Sequence, residues 1–423
     1  MIPSERLNSI RYLLRTSPVY VAVFLMRFSF AFTVVALQYL VSSTIELGAI
    51  SSAYPIMEML TAMLFGLLSD RLGRKWIVVA ALLASSAITY SFTLTVNFPV
   101  LILIHALQGV CAAAIVTGTL ASLTDIAKVS RRGREMGFYD FCTIGGYAFG
   151  FVFSLLLIDG NPLNARYPFY AGAVVAILAA LFAAIMLKDV MPRTSMPSLS
   201  EDVRKVASNK TAISLIPTWF VLMMLIGVSL TYTRQLSGAL FSRFPSLFGT
   251  HLTGAMQLKI DWITGVLLIL GALLLGYSQT SLGGLSDRFG RTRLILTGQV
   301  SIAGILILLI ALLSFNLSWI VALPFALLLG AGLLAFTPAA LAELADIAPT
   351  SGRGSTMGFY SLTVGAGTIF GPLAGGELIS RFGASTGFSL FFFIGLGIIL
   401  AVLIPITISY LGDAGEHVRH QGT

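Results

Sequence analysis

Arg27, Glu58 and His105 are ionisable side chains set inside long stretches that are otherwise apolar. Arg27 lies about ten residues in from the N-terminal flank of its stretch, and Glu58 about eleven residues in from the opposite flank of the next. At a helical rise of about 1.5 Å per residue, both reach a depth of about 15 Å. A lone charge at that depth in hydrocarbon costs at least about 3 kcal/mol. The arrangement of lowest cost is an ion pair, direct or bridged by water, at the border of a polar cavity, with Arg27 free to engage an anionic group. A static structural pair is the alternative; so is Glu58 packing towards another helix, with Arg27 alone facing the cavity. Histidine titrates near neutral pH, so His105 can carry a proton; a neutral imidazole hydrogen-bonded inside a helix bundle is the other reading. Gln38, Tyr54, Gln108, Tyr232 and Gln279 are candidates to line the same pathway, with Gln299 and Trp219 beside them. Amide and aromatic groups around a wet cavity suit an amphipathic organic solute, although each taken singly also reads as packing.

The elements that hold such groups follow from composition. Only 10% of the 423 residues are charged and 57% are hydrophobic, far too little charge to cover a soluble domain of this length. A spanning helix needs about 20 mostly apolar residues, and such stretches recur almost end to end: 18–42, 47–69, 76–96, 98–124, 137–158, 167–187, 212–233, 262–284, 293–314, 318–346, 357–379 and 386–410. We number these spans 1 to 12. The runs are continuous rather than alternating, which excludes a β-barrel. The expected fold class is all-α, a polytopic membrane protein of twelve transmembrane helices. Span 1 lacks a small-residue cleavage site and is expected to be retained.

Net charge is +8, but its placement points to a membrane rather than to nucleic acid. Lys and Arg crowd alternate connections, as in Arg71, Arg74 and Lys75, then Lys128, Arg131, Arg132 and Arg134, then Lys188 through Lys210. That bias places both termini in the cytoplasm of a multi-pass protein, with the plasma membrane the expected location. Cys111 and Cys142 fall in apolar spans and are expected to be free thiols. Pro192 and Pro197 break the longest cytoplasmic connection, and Ser198 with Glu201 forms a capping-box pattern for a short amphipathic helix. The chain divides accordingly into 1–190, a linker 191–211, and 212–423. The connection 234–261 is the longest on the other side. No metal-ligand cluster, nucleophile–base constellation or phosphate loop is present in the sequence.

The strongest signal is a repeat. Gly66-Leu-Leu-Ser-Asp-Arg-Leu-Gly-Arg74 recurs as Gly283-Gly-Leu-Ser-Asp-Arg-Phe-Gly-Arg291, after spans 2 and 8. Around the connections after spans 4 and 10, Leu120-Ala-Ser-Leu-Thr-Asp-Ile-Ala127 recurs as Leu341-Ala-Glu-Leu-Ala-Asp-Ile-Ala348. Six spans separate the copies, so the two six-helix halves run parallel through the membrane. Gly66 and Gly283 are small enough to allow close helix approach.

The pattern Gly-x-Leu-x-Asp-Arg-x-Gly-Arg-Lys between spans 2 and 3 resembles the signature loop of the major facilitator superfamily. The resemblance covers essentially the whole chain. It implies alternating access around a solute site between the halves. It also implies a conformational latch: Asp70 against the start of span 11 near Met357, Asp287 against the start of span 5 near Met136, and the sets Asp70–Arg74–Asp125 and Asp287–Arg291–Asp346 holding the cytoplasmic side closed. Charges that only fix topology are the alternative. In span 11, Gly367, Gly371, Pro372, Gly375 and Gly376 resemble the glycine-rich Gly-Pro motif that antiporters of the superfamily carry in span 5; here span 5 has Gly145, Gly146 and Gly150, with Phe151 in place of the proline. Span 4 has His105-Ala-Leu-Gln-Gly109 where many members have Arg-x-x-Gln-Gly, with the arginine implicated in proton coupling. The expected function is secondary active transport of a small organic solute, closest to the drug/metabolite:proton antiporter type. The proton gradient is the energy source and no cofactor is expected. Expected partners are the solute and membrane lipids, not nucleic acid, with the monomer functional. Uptake or facilitated diffusion of an organic anion or sugar, and a transporter-like solute sensor, are the rival readings.

Overall fold

The structure, a computed structural model, describes residues 4–126, 132–159, 161–188, 210–243, 254–281, 290–315, 317–347 and 353–420. Every long element among them is a helix. The twelve expected spans are found: Ser4–Leu40, Thr44–Leu72, Arg74–Ser91, Phe98–Ile126, Arg132–Ile158 and Tyr167–Met186 in the first half, then Lys210–Thr231, Gly254–Ser281, Arg291–Ser314, Trp319–Ile347 and the continuous run Arg353–His420. That last run holds spans 11 and 12, joined at Gly383, whose φ of 77° interrupts the helix. Among the described residues, seven helices are long and apolar enough to cross a membrane, or eight if the bent pair Leu215–Thr231 and Thr233–Phe241 is one span. The linker expected over 191–211 lies almost wholly outside the described residues.

Several boundaries differ from expectation: span 8, expected from 262, begins at Gly254, inside the connection expected over 234–261. The first helix begins at Ser4 and runs through Pro18. The connection after span 7 opens with the helix Thr233–Phe241, set at 87° to the helix before it.

The repeat is visible in the backbone. Gly73 and Gly290 end corresponding copies of the signature loop, with φ of 87° and 86°. A residue with a Cβ is strained there, which accounts for the glycine in both copies.

Within the first half span 1 packs on spans 5 and 6, span 2 on span 4, and span 3 on spans 4 and 6. In the second half span 7 packs on span 11, and span 9 on spans 10 and 12. The halves meet where span 2 crosses span 11 and where span 5 crosses span 8. The repeat exchanges these two crossings, as a two-fold relation between halves requires. The larger apolar core, with Leu37, Leu47, Ile50, Trp219, Val228 and Phe388, draws on both halves at the end of the span 1–2 connection. At the opposite, arginine-rich end the core cluster containing Val23, Val78, Ile115 and Ala180 belongs to the first half alone. Among the described residues the halves share an apolar core at the end of the span 1–2 connection, and span 8 also packs on span 5 through Gly276 and Phe141.

Candidate functional site

Arg27 is the midpoint of the apolar stretch Leu14–Leu40, and Glu58 the midpoint of helix Thr44–Leu72. The two meet: Arg27 Nη2 lies 3.3 Å from Glu58 Oε1. Arg27 Nη1 also donates to the Tyr54 hydroxyl at 2.8 Å and to the Tyr147 hydroxyl at 3.0 Å. The guanidinium sits 5.2 Å from the Tyr147 ring centroid, in cation–π range. The partners differ in access, with 11% of the Arg27 side chain exposed and 24% of the Glu58 side chain. The arginine is held on several sides, and the carboxylate is the member that reaches open space.

Glycines set this geometry. A Cβ at Gly146 would lie 2.5 Å from the Phe24 carbonyl oxygen and 2.9 Å from Arg27 Cβ, so spans 1 and 5 cross here only because that Cβ is missing. The crossing lays Tyr147, the next residue, over Arg27. Gly109 does the same for span 2: a Cβ there would lie 2.2 Å from the Tyr54 carbonyl oxygen. The second half repeats the scaffold without the charge. A Cβ at Gly367 would lie 2.6 Å from both the Phe220 carbonyl oxygen and Met223 Cβ, so Met223 occupies the place of Arg27. Leu275 aligns with Glu58 by its distance from the signature loop. The buried charge therefore belongs to one half.

His105 is buried beside this group, its ring 5.4 Å from that of Tyr54. Its Nδ1 lies 2.7 Å from the Ile50 carbonyl oxygen, which assigns the Nδ1 proton to that bond. Ile50 lies in the turn preceding Pro55, so the imidazole ties span 4 to that turn of span 2. Gln108 does not face the cluster: its Nε2 holds Thr33 Oγ1 at 3.2 Å and Thr89 Oγ1 at 3.0 Å, stapling spans 1, 3 and 4. Gln299 makes the like contact with Thr218 at 2.9 Å.

Gln38 and Tyr232 lie at the joined end rather than in the central cluster. The Tyr232 hydroxyl donates towards the carbonyls of Thr44 at 2.6 Å and Pro372 at 3.0 Å, and Gln38 bonds to the backbone of span 7. Thr44 Oγ1 donates to the Gly376 carbonyl at 3.0 Å, and Ser52 Oγ to that of Ile369 at 2.9 Å. A Cβ at Gly371 or Gly375 would lie 2.4 Å from the Met224 carbonyl oxygen or from Val228 Cγ2 of span 7, so span 11 runs close to span 7 there. The side chain of Gln279 lies outside the described residues.

Of the latch, Arg74 and Asp125 form an ion pair, the arginine buried and the carboxylate partly exposed. The side chains of Asp70 and Asp346, and all of Gly283 and Asp287, lie outside the described residues, while Arg291 is placed at the start of span 9. At Gly66 a Cβ would meet no described atom within 4 Å, and the side chains at the start of span 11 expected to face it lie outside the described residues. The described contacts between spans 2 and 11 run from Thr44–Gly376 through Gly48–Pro372 to Met59–Gly365 and stop short of that end.

Sequence reasoning missed Tyr147. Its signal is Gly146, adjacent to a mid-span tyrosine.

The profile of the Major Facilitator Superfamily matches residues 18–325 and 260–419. "Multidrug resistance protein 1" of Bacillus subtilis (strain 168) is 25% identical over 374 residues, 87% of each chain. "Quinolone resistance protein NorA" of Staphylococcus aureus (strain MSSA476) is 22% identical over 184 residues, 44% of this chain and 47% of that one. The fold is similar to the crystal structure of the nucleoside transporter NupG, with a TM-score of 0.68 at 14% identity over 93% of this chain and 98% of that one. Twelve helical spans in two repeated halves, polar groups paired at mid-membrane and a profile match over nearly the whole chain lead to one conclusion: the chain belongs to the Major Facilitator Superfamily and is a multi-pass membrane transporter.

Proposed function

We propose that the chain exports amphipathic organic solutes, cationic ones foremost, in exchange for protons, working as a monomer in the plasma membrane with both termini in the cytoplasm. The observation that carries this reading is the Arg27–Glu58 pair, in which the carboxylate is the accessible member. Glu58 has one negative charge to share among Arg27, a proton and a cationic solute. A solute that takes the carboxylate excludes the proton, and a proton that neutralises it releases the solute. Mutual exclusion at one group, combined with alternating access, couples the two fluxes in opposite directions. Tyr54 and Tyr147 keep the guanidinium in place while its partner changes hands.

Resistance to drugs is what the names of two relatives record, and that supports an export role here. Uptake of an organic anion fits less well, because the Arg27 guanidinium is already engaged by three side chains. On this reading the proton sits on Glu58, and His105 braces span 2. The energy source is the proton gradient alone.

The test is flux in liposomes of purified protein. An imposed pH gradient is expected to drive accumulation of a fluorescent organic cation, and Glu58→Gln to abolish it while the protein still folds. Wild-type flux indifferent to the gradient, or full accumulation by Glu58→Gln, rejects the proposal.

A further inference from the structure

Span 7 is broken at Tyr232, whose φ of −118° and ψ of 31° are not helical. Residues 228–234 contain neither proline nor glycine, the usual causes of a sharp kink. In an unbroken helix the Arg234 amide would donate to the Leu230 carbonyl, four residues back. Here the Arg234 N–H donates to Gln38 Oε1 at 3.2 Å, and Gln38 Nε2 donates to the Leu230 carbonyl at 2.9 Å. A span 1 side chain from the other half is spliced into the hydrogen bond that span 7 lacks. A primary amide suits the task because it offers both an acceptor and a donor. The surrounding contacts also bridge the halves: the Arg234 guanidinium sits 4.4 Å from the Tyr39 ring centroid, and the Tyr232 hydroxyl holds the Thr44 and Pro372 carbonyls.

We propose that Gln38 is a detachable splint, a positioning residue that keeps span 7 bent while the halves are joined at this end. When the halves part, Gln38 leaves with its own half. The Arg234 N–H and the Leu230 carbonyl then bond to each other, and span 7 straightens. Neither backbone group is orphaned in either arrangement, which makes the element two-state rather than continuously deformable. Opening at this end and straightening of span 7 become one event, and the helix Thr233–Phe241 swings with it. The proposal concerns the gate and not the solute, so it stands or falls independently of proton antiport.

The experiment is a distance measurement by pulsed electron paramagnetic resonance between spin labels at Ile226 and Ser242, both exposed. The full-length protein is used in lipid nanodiscs, with Cys111 and Cys142 replaced by alanine. At about 1.5 Å per residue, the separation along the helix axis is about 17 Å for the bent form and about 24 Å for the straight one. Wild type is expected to favour the short distance. Gln38→Leu removes both hydrogen bonds and is expected to raise the ratio of long to short populations at least about tenfold. Gln38→Glu keeps the acceptor for Arg234 but loses the donor to Leu230, and is expected to give a smaller rise, roughly threefold to tenfold. The glutamate variant also decides the matter if the leucine variant does not fold. A distribution matching wild type in whichever of the two variants folds overturns the proposal.

Discussion

Replacing Arg27 with methionine, the residue that the second half carries at the same place, tests the central pair most directly. The substitution removes the ion pair to Glu58 at 3.3 Å and the hydrogen bonds to Tyr54 and Tyr147 at 2.8 and 3.0 Å. Three contacts at the membrane-protein average of about 0.6 kcal/mol each come to about 2 kcal/mol. Orphaning a fully buried charge costs about 3 to 5 kcal/mol, and partial exposure of Glu58 lowers that figure. The expected destabilisation of Arg27→Met is therefore about 2 to 4 kcal/mol. Arg27→Met with Glu58→Leu copies both residues of the second half and leaves no unpaired charge. It is expected to recover at least about half of that loss, because an apolar pair of similar volume replaces an ion pair at little cost. Thermal unfolding of the four proteins of the cycle in detergent gives the coupling, and flux in liposomes gives the function. The double variant is expected to be stable and inactive in proton-driven exchange. An Arg27→Met protein as stable as wild type, or a double variant less stable than either single one, refutes the reasoning.

Three further outcomes are expected. Gly146→Ala and Gly371→Ala place a Cβ within about 2.5 Å of a facing carbonyl oxygen and should each cost about 1 to 3 kcal/mol, whereas Gly271→Ala, with no described atom within 4 Å of its Cβ, should be neutral or stabilising; equal melting temperatures for all three would reject the packing argument. His105→Ala should lower stability by about 1 to 2 kcal/mol through loss of the bond to the Ile50 carbonyl while gradient-driven accumulation persists, and a variant that binds solute but no longer responds to the gradient would return the proton to His105. Asp70→Asn and Asp287→Asn should each raise the fraction of molecules open at the arginine-rich end, read as longer distances between labels on the two halves there, and unchanged distributions in both would remove the latch.

Much of this protein follows from its sequence because lipid leaves few choices. Without water to take backbone hydrogen bonds, each apolar stretch of about 20 residues must be helical, and the existence and order of the spans were legible, although the helices of spans 1 and 8 begin well before their apolar stretches. The repeated signature loop fixed six-plus-six parallel halves. The pairing of Arg27 with Glu58 was legible for the same reason: a charge at mid-membrane must find a partner, and the candidates are few.

What the sequence did not determine is what depends on how helices distant in the chain cross. Tyr147 reads as one more aromatic in an apolar span until Gly146 brings spans 1 and 5 together. Gln38 and Tyr232 read as cavity residues, since polar groups in a membrane call for a wet site; the structure satisfies them instead with backbone groups of the opposite half. The bend in span 7 leaves no mark in its own residues, because its missing hydrogen bond is supplied by a side chain some two hundred residues earlier in the chain. Local sequence dictates which segments are helices and which charges must be neutralised. Only the packed bundle decides which atoms do the neutralising, because that is set by helix crossings measured in tenths of an ångström and by glycines whose absent side chains allow them.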